Sequence, residues 1–399
     1  MASLHLTLRD SPDLGKPQLA SHAWLEPVVV VSIMIGSLIV NRRRESSRSP
    51  TALLNDFDSA SDTNYSILED GDAYTRGDLY TESENVYGIT IKNRDSSRWA
   101  HHFHSRILQK FPFLVEMFYW IMNYLFYSVT KGMAQWLSPP QIGVVQVARD
   151  HALSILNFEH QSVPWIFPIK EVDFQSFFIK YHPSILTVFN RIYSLVHIPG
   201  TVLFLSWYYY TAKNHSTFAV ARRTMTLGNL AAFLIFCVYP CMPPRLLPDS
   251  YGFYDTVRQG NAESIWVGGK SINQFAAMPS LHFTYAFVIG CTFFHHSGLL
   301  QRLRGTSSPK SKLTEFGFLA LSILYPVLVL SVIVATANHY WLDAVAAIFT
   351  VTLCYHFNRV LLLLLPIEYG ICWVLHLAKP VPTTGDRTAR LKRQVNGLV

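Results

Sequence analysis

Ala337-Asn338-His339-Tyr340-Trp341-Leu342-Asp343 heads an apolar run that continues through Val345, Ile348, Val351 and Leu353 to Leu365. An apolar run of that length reads as a membrane-spanning helix. At the edge of such a helix an unpaired His or Asp is costly. Residues four apart share a helical face and helical side chains lean toward the N-terminus, so the spacing predicts that Asp343 reaches back over His339. A carboxylate on one ring nitrogen fixes the tautomer and leaves the other nitrogen for a substrate, as in a catalytic triad. The same spacing also suits a buried structural hydrogen bond, and the pair alone does not separate the two.

Two further stretches bear on that choice. Met278-Pro279-Ser280-Leu281-His282 precedes the apolar residues 283–294. Ser is a preferred N-cap, so Ser280 is expected to start a helix whose free backbone N–H groups suit an anion, phosphate above all. His282 then sits in the first turn, beside that anion; a plain capped helix with an interfacial His is the other reading. Pro243-Pro244-Arg245 follows the apolar residues 230–239. Arg forks onto phosphate oxygens, although an Arg at a helix end also snorkels.

In this order, an Arg near a helix end, Pro-Ser-Leu-His and His-x-x-x-Asp resemble the type-2 phosphatidic acid phosphatase superfamily. The variants Pro-Pro-Arg, Met-Pro-Ser-Leu-His and Asn-His-Tyr-Trp-Leu-Asp are more similar to its inositol phosphorylceramide synthase branch. The resemblance covers roughly residues 141–365. It implies an all-α, polytopic membrane helix bundle: a six-helix phosphatase-like core, here with an added N-terminal anchor helix. It implies His339 as nucleophile, Asp343 as its orienting carboxylate and His282 as acid and base. Arg245, Ser280 and Asn338 would hold the phosphate, with no metal and no cofactor. There are two departures. The family's Lys seven residues before the Arg is Val238 here, and its Arg six residues before the last His is Ile333. Lys270 and Arg191 are the candidates to supply the missing charge.

Composition agrees with a membrane protein. Half of the 399 residues are hydrophobic and only 15% are charged, with a mean hydropathy of +0.20. The net charge of +7 gathers beside apolar runs, as positive-inside topology produces. No interleaving of basic and aromatic residues points to nucleic acid. The five cysteines lie in or beside apolar runs without a metal-like pair, so they read as small core residues. His101, His102 and His104 are poorly spaced for one tetrahedral site and read as an interfacial helix start.

Four regions are expected. Residues 1–44 are expected to hold a membrane anchor at 23–40, followed by Arg42-Arg43-Arg44. Residues 45–100 form a polar linker, too poor in large apolar side chains to fold. Residues 101–378 form the membrane-embedded domain, with spans at 111–129, 184–210, 224–239, 282–294, 316–334 and 340–365. Within it, 366–378 is too short to cross, and 141–182 lies on the membrane surface or over the site with His151 and His160 solvated. Residues 379–399 are a basic tail. Counting spans puts Arg245, His282 and His339 on one face. The opposite face takes the tail, Arg42-Arg43-Arg44, the loop charges Lys213, Arg222 and Arg223, and those of 302–312. The basic face is then cytosolic and the site luminal, in an endomembrane (endoplasmic reticulum or Golgi) by resemblance. The expected partners are phospholipid or sphingolipid substrates in the bilayer. Headgroup transfer between lipids, hydrolysis of a lipid phosphate and a non-catalytic lipid-binding scaffold remain as readings; the intact Ser280, His282, His339 and Asp343 speak against the last.

Overall fold

The computed structural model describes residues 24–43, 83–92, 96–137, 141–256, 275–305 and 311–386. Lys270 and Arg44 lie outside the described residues, as do most of the linker and the end of the tail. The described chain is mostly helical: α1 (Leu25–Val40), α2 (Phe103–Lys110), α3 (Leu114–Leu137), α4 (Gln141–Asn157), α5 (Glu171–Tyr181), α6 (Pro183–Arg191), α7 (His197–Thr211), α8 (His215–Val238), α9 (Leu281–Ser297), α10 (Leu299–Leu303), α11 (Lys312–Ala335), α12 (Trp341–Phe357) and α13 (Leu365–Val374).

Helices α8, α9, α11 and α12 pack on one another around the site, with α3 against α8 and α1 against α7. Gly290 sets the approach of α9 to α11. A Cβ there would meet Pro326 Cγ at 2.6 Å and the Ser322 carbonyl oxygen at 2.8 Å, so no larger side chain fits without moving α11. Between α3 and α8 a buried ion pair replaces apolar contact. Arg222 Nη1 donates to both oxygens of Glu116 at 2.9 and 3.0 Å, and its guanidinium lies 4.3 Å from the Tyr119 ring centre. Isolated charges in that position would be costly; paired and stacked, they are tolerated.

Among the described residues, two helices are long and apolar enough to cross a membrane: Lys312–Ala335 and the 34-residue stretch Trp341–Val374, which runs on through α13. A third candidate is the pair Pro183–Ser194 and Ile198–Thr211, bent by 60°. The mostly helical chain, with two or three candidate spans, is consistent with an integral membrane protein. Of the other expected spans, α1 and α9 are 16 and 17 residues long, and α3 and α8 carry polar residues that dilute their hydropathy. Large apolar side chains nonetheless point outward from α3, α11 and α12, among them Ile121, Phe316, Ile323 and Phe349. Contiguous outward apolar surface on helices is what lipid requires.

Several expectations are corrected. Residues 83–92, inside the supposed unfolded linker, form an antiparallel hairpin of β1 (Ser83–Val86) and β2 (Ile89–Lys92). Tyr87 and Gly88 turn it at positive φ, and Val86 and Ile91 bury their side chains. Arg359 donates to Asn85 O at 3.0 Å, so tertiary contact supplies what composition lacks. Residues 366–374, too short to cross by themselves, do not stand apart, since α13 continues the stretch from α12. Arg222 and Arg223 are not loop charges. They lie within α8, one paired with Glu116 and the other donating to Asn358 Oδ1 at 3.2 Å. The start of the tail is packed rather than loose. Thr383 donates to Asn41 O at 2.8 Å, and Val381 O accepts from Arg43 at 2.6 Å. These contacts gather the ends of α1 and α7 and the start of the tail at one end of the bundle. Helix α8 then runs from that end to the Pro-Pro-Arg segment at the other.

Candidate active site

Backbone hydrogen bonds bring the three motifs together. Cys241 N donates to Phe275 O at 2.7 Å and Ala277 N to Cys241 O at 3.2 Å, pairing the segment before Arg245 with the segment before Ser280. Arg245 N donates to Ala337 O at 2.8 Å, and Ser280 N to Asp343 O at 3.4 Å. Tyr340 Oη closes the ring by donating to Met242 O at 2.8 Å. A buried apolar cluster that includes Cys241, Met242, Leu246, Ala277 and Tyr340 packs under these strands of chain.

His339 and Asp343 meet, but not along a helix. Helix α11 ends at Ala335, Ala337 turns at φ +52°, and Tyr340 is the N-cap of α12. His339 therefore precedes the helix, and Asp343 sits in its first turn. The Asp343 carboxylate folds back, as first-turn acidic side chains do in a capping box. Its Oδ2 accepts from Tyr340 N at 3.0 Å and lies 3.1 Å from His339 Nδ1. The spacing predicted the contact and misassigned its geometry.

The same Nδ1 lies 2.8 Å from Ala277 O. Both of its neighbours are acceptors, so Nδ1 carries the hydrogen and Nε2 carries the lone pair. His339 and Asp343 are buried, and Asp343 Oδ1 is buried without a hydrogen-bond partner. An orphaned carboxylate oxygen costs on the order of 1–3 kcal/mol, more than a purely structural contact would warrant.

Ser280 caps α9, its Oγ accepting from Phe283 N at 3.3 Å. That places His282 in the first turn, where its ring centre is 5.9 Å from that of His339. Tyr193 stacks on His282, centroid to centroid 4.3 Å with the planes 20° apart. Arg245 Nε donates to Asn338 Oδ1 at 2.9 Å, and its Nη1 pairs with Asp255 Oδ2 at the same distance. Asn338 is itself fixed, its Nδ2 donating to Thr336 Oγ1 at 2.8 Å. Two imidazoles thus face each other with one guanidinium held beside the residue that precedes His339.

Of the expected site residues, His339, His282, Asp343, Arg245, Ser280 and Asn338 come together. Arg191 does not join them: it is exposed at the end of α6. The two positions where the family pattern has cations supply no charge, although Ile333 O accepts from Asn338 N at 3.0 Å and from His339 N at 3.2 Å. Val238 is 80% exposed, whereas Ile333 is fully buried in an apolar cluster. Tyr193 was not legible, because a Tyr in an apolar run carries no signal of what it stacks upon. His151 and His160, expected to be solvated, are half-buried. His151 stacks on Tyr239 at 3.9 Å and bonds Pro240 O, and His160 pairs with Glu171.

Among the described residues, Glu159, His160 and Glu171 form the one group of His and carboxylate side chains with oxygens and nitrogen close enough for a cation, within 4.8 Å of one another. Its carboxylates accept from Trp341 N and Leu342 N in the first turn of α12.

Comparison with curated proteins and with solved structures finds no match. A family model does match, that of the PAP2 superfamily, over residues 166–307 and 311–357. The matched segments contain Arg245, Ser280, His282, His339 and Asp343. Over those residues, just under half of the chain, this protein is similar to the PAP2 superfamily, the type-2 phosphatidic acid phosphatases, whose members are in general phosphatases and phosphotransferases.

Proposed function

We propose that this protein is an integral membrane lipid phosphotransferase that moves an inositol-phosphate-like headgroup from one lipid to another through a phosphohistidine. The observation that carries the reading is His339, with Nδ1 between two acceptors and its ring 5.9 Å from His282. In this reading His339 Nε2 attacks the phosphorus of the donor and the bond to the glyceride oxygen breaks. His282 gives that oxygen its proton. The headgroup phosphate then rides on His339, and Asp343 balances the imidazolium charge. An acceptor hydroxyl loses its proton to His282 and attacks phosphorus, and the N–P bond breaks. Splitting one displacement into two lowers each barrier. Arg245 and the backbone N–H groups at the start of α9 hold the phosphate oxygens as charge shifts among them. Transfer is favoured over hydrolysis by the motif variants Pro-Pro-Arg, Met-Pro-Ser-Leu-His and Asn-His-Tyr-Trp-Leu-Asp.

The test is an assay of purified protein with phosphatidylinositol and phosphatidic acid as donors, with and without ceramide. The expected outcome is diacylglycerol release from phosphatidylinositol that depends on ceramide and matches the headgroup gained by ceramide. Free phosphate from phosphatidic acid, with no transfer, would establish hydrolysis instead. Turnover of no donor would leave the scaffold reading.

The same reading puts the site on the luminal side and the tail on the cytosolic side. Supporting it, the packed start of the tail and the site lie at opposite ends of α8, as described above. Protease added to sealed vesicles with their cytosolic face outward is expected to remove a C-terminal tag. A protected tag reverses the orientation.

A further inference from the structure

Behind the site, two backbone N–H groups in the first turn of α12 end on carboxylates from elsewhere in the chain. Trp341 N donates to Glu171 Oε1 at 3.3 Å, and Leu342 N to Glu159 Oε1 at 2.5 Å. Both glutamates are fully buried, at 0% exposure. They come from the π-helical turn Phe158–Ser162 and the start of α5, a region whose sequence suggested surface charge. Free N–H groups at a helix start attract carboxylates. Two carboxylates at one helix start are more than that attraction requires.

The remaining oxygens are unequal. Glu171 Oε2 pairs with His160 Nε2 at 2.8 Å. Glu159 Oε2 is buried and has no donor, and a carboxylate oxygen of Glu159 lies within 4.8 Å of one of Glu171. Two ionised carboxylates are both acceptors, so neither can satisfy the other. With a proton on Glu159 the contact becomes a hydrogen bond, and the orphaned oxygen gains its role as donor. Like carboxylates in one buried site share a proton for this reason.

Resting on the phosphotransfer reading above, we propose that Glu159 and Glu171 are positioning residues for the reaction. Glu159, held as the carboxylic acid, donates to Glu171. The pair anchors the first turn of α12 and so fixes Asp343 against His339. The chain of contacts is short, since Asp343 follows Leu342 directly and its carboxylate carries the His339 bond. Burial first, and then Glu171, push the Glu159 carboxyl up to about 10. The titratable groups facing Glu159 are Glu171, His160 and Asp343, with the Cys241 thiol and the Tyr340 hydroxyl beyond them.

The sign of the pH effect follows. The folded protein holds this proton above the pH at which an unfolded carboxylate, with a model value of 4.5, gives it up. The folded state then binds more protons than the unfolded state, so stability declines as pH rises from about 4.5 toward about 10. A Gln at 159 imitates the protonated acid: its carbonyl accepts from Leu342 N and its amide donates to Glu171.

The experiment compares wild type, Glu159→Gln and Glu159→Ala as purified full-length protein in detergent. It reads kcat, KM, melting temperature across pH and metal content. Glu159→Ala is expected to lower kcat by roughly 10- to 100-fold with little change in KM, since Asp343 is misplaced rather than the lipid. Glu159→Gln is expected to restore kcat to within about threefold of wild type and to flatten the decline of melting temperature at alkaline pH. Should Glu159→Ala fail to fold, Glu159→Gln alone still decides. A Gln variant as impaired as the Ala variant, or one with the wild-type pH slope, overturns the proposal. So does a divalent cation that copurifies with wild type and is lost in Glu159→Gln, because a cation needs the ionised carboxylate. The melting profile does not depend on turnover, so it separates failure of this clamp from failure of the phosphotransfer reading.

Discussion

Replacing His339 by Ala is expected to lower turnover by at least about 10³-fold while leaving the protein folded and in the membrane. The side chain makes its hydrogen bonds through Nδ1 alone, to Ala277 O and Asp343 Oδ2. Losing them costs about 1–2 kcal/mol, against a fold held by many helix contacts. Asp343 keeps its bond from Tyr340 N, so the start of α12 stays capped. What disappears is Nε2, the atom to which phosphorus would bond. A radiolabelled donor quenched in alkali distinguishes this from mere misfolding: wild type retains acid-labile phosphate on protein and His339→Ala does not. Undiminished turnover in the variant would remove His339 as nucleophile and with it the whole reaction scheme.

The second large effect is expected at Arg245. Its Nε and Nη1 point to different partners, Asn338 and Asp255, and the guanidinium retains further N–H groups for phosphate oxygens. Lys carries one nitrogen and cannot hold Asn338, Asp255 and an anion together. Arg245→Lys is therefore expected to lower kcat/KM by roughly 10- to 150-fold, the equivalent of about 1.5–3 kcal/mol for a charge-assisted bond. Arg245→Ala should do worse, because it removes the whole guanidinium, including its ion pair with Asp255. Equal kcat/KM for the Lys variant would show that the guanidinium does not grip the phosphate. The measurement is kinetic, over a series of donor concentrations at one detergent-to-lipid ratio.

Some of the molecule was legible in the residues. The 24-residue α11 and the stretch beginning at Trp341 announce themselves by continuous hydrophobicity. Ser280 was readable as a cap because a hydroxyl before an apolar run satisfies a free N–H at short range. The polar half of the bundle was not readable. Arg222 and Glu116 look like two surface charges 106 positions apart, and only the packing of α3 on α8 makes them a pair. Glu159 and Glu171 look like an amphipathic surface for the same reason. Charge in a sequence predicts solvent unless its partner is known, and the partner here comes from another element.

The order Arg245, His282, His339, with Asp343 four residues after, is what pointed from sequence to phosphoryl transfer, because each residue type has a role only in company with the others. Local pattern also determined which segments are apolar enough for lipid. Tertiary structure decided that His339 stands before α12 rather than on it, that Val238 turns outward while Ile333 is buried beneath His339, and that Tyr193 stacks on His282. Those outcomes depend on where chains cross and which faces they bury. No local pattern encodes them, since the energy of a buried contact belongs to both partners at once.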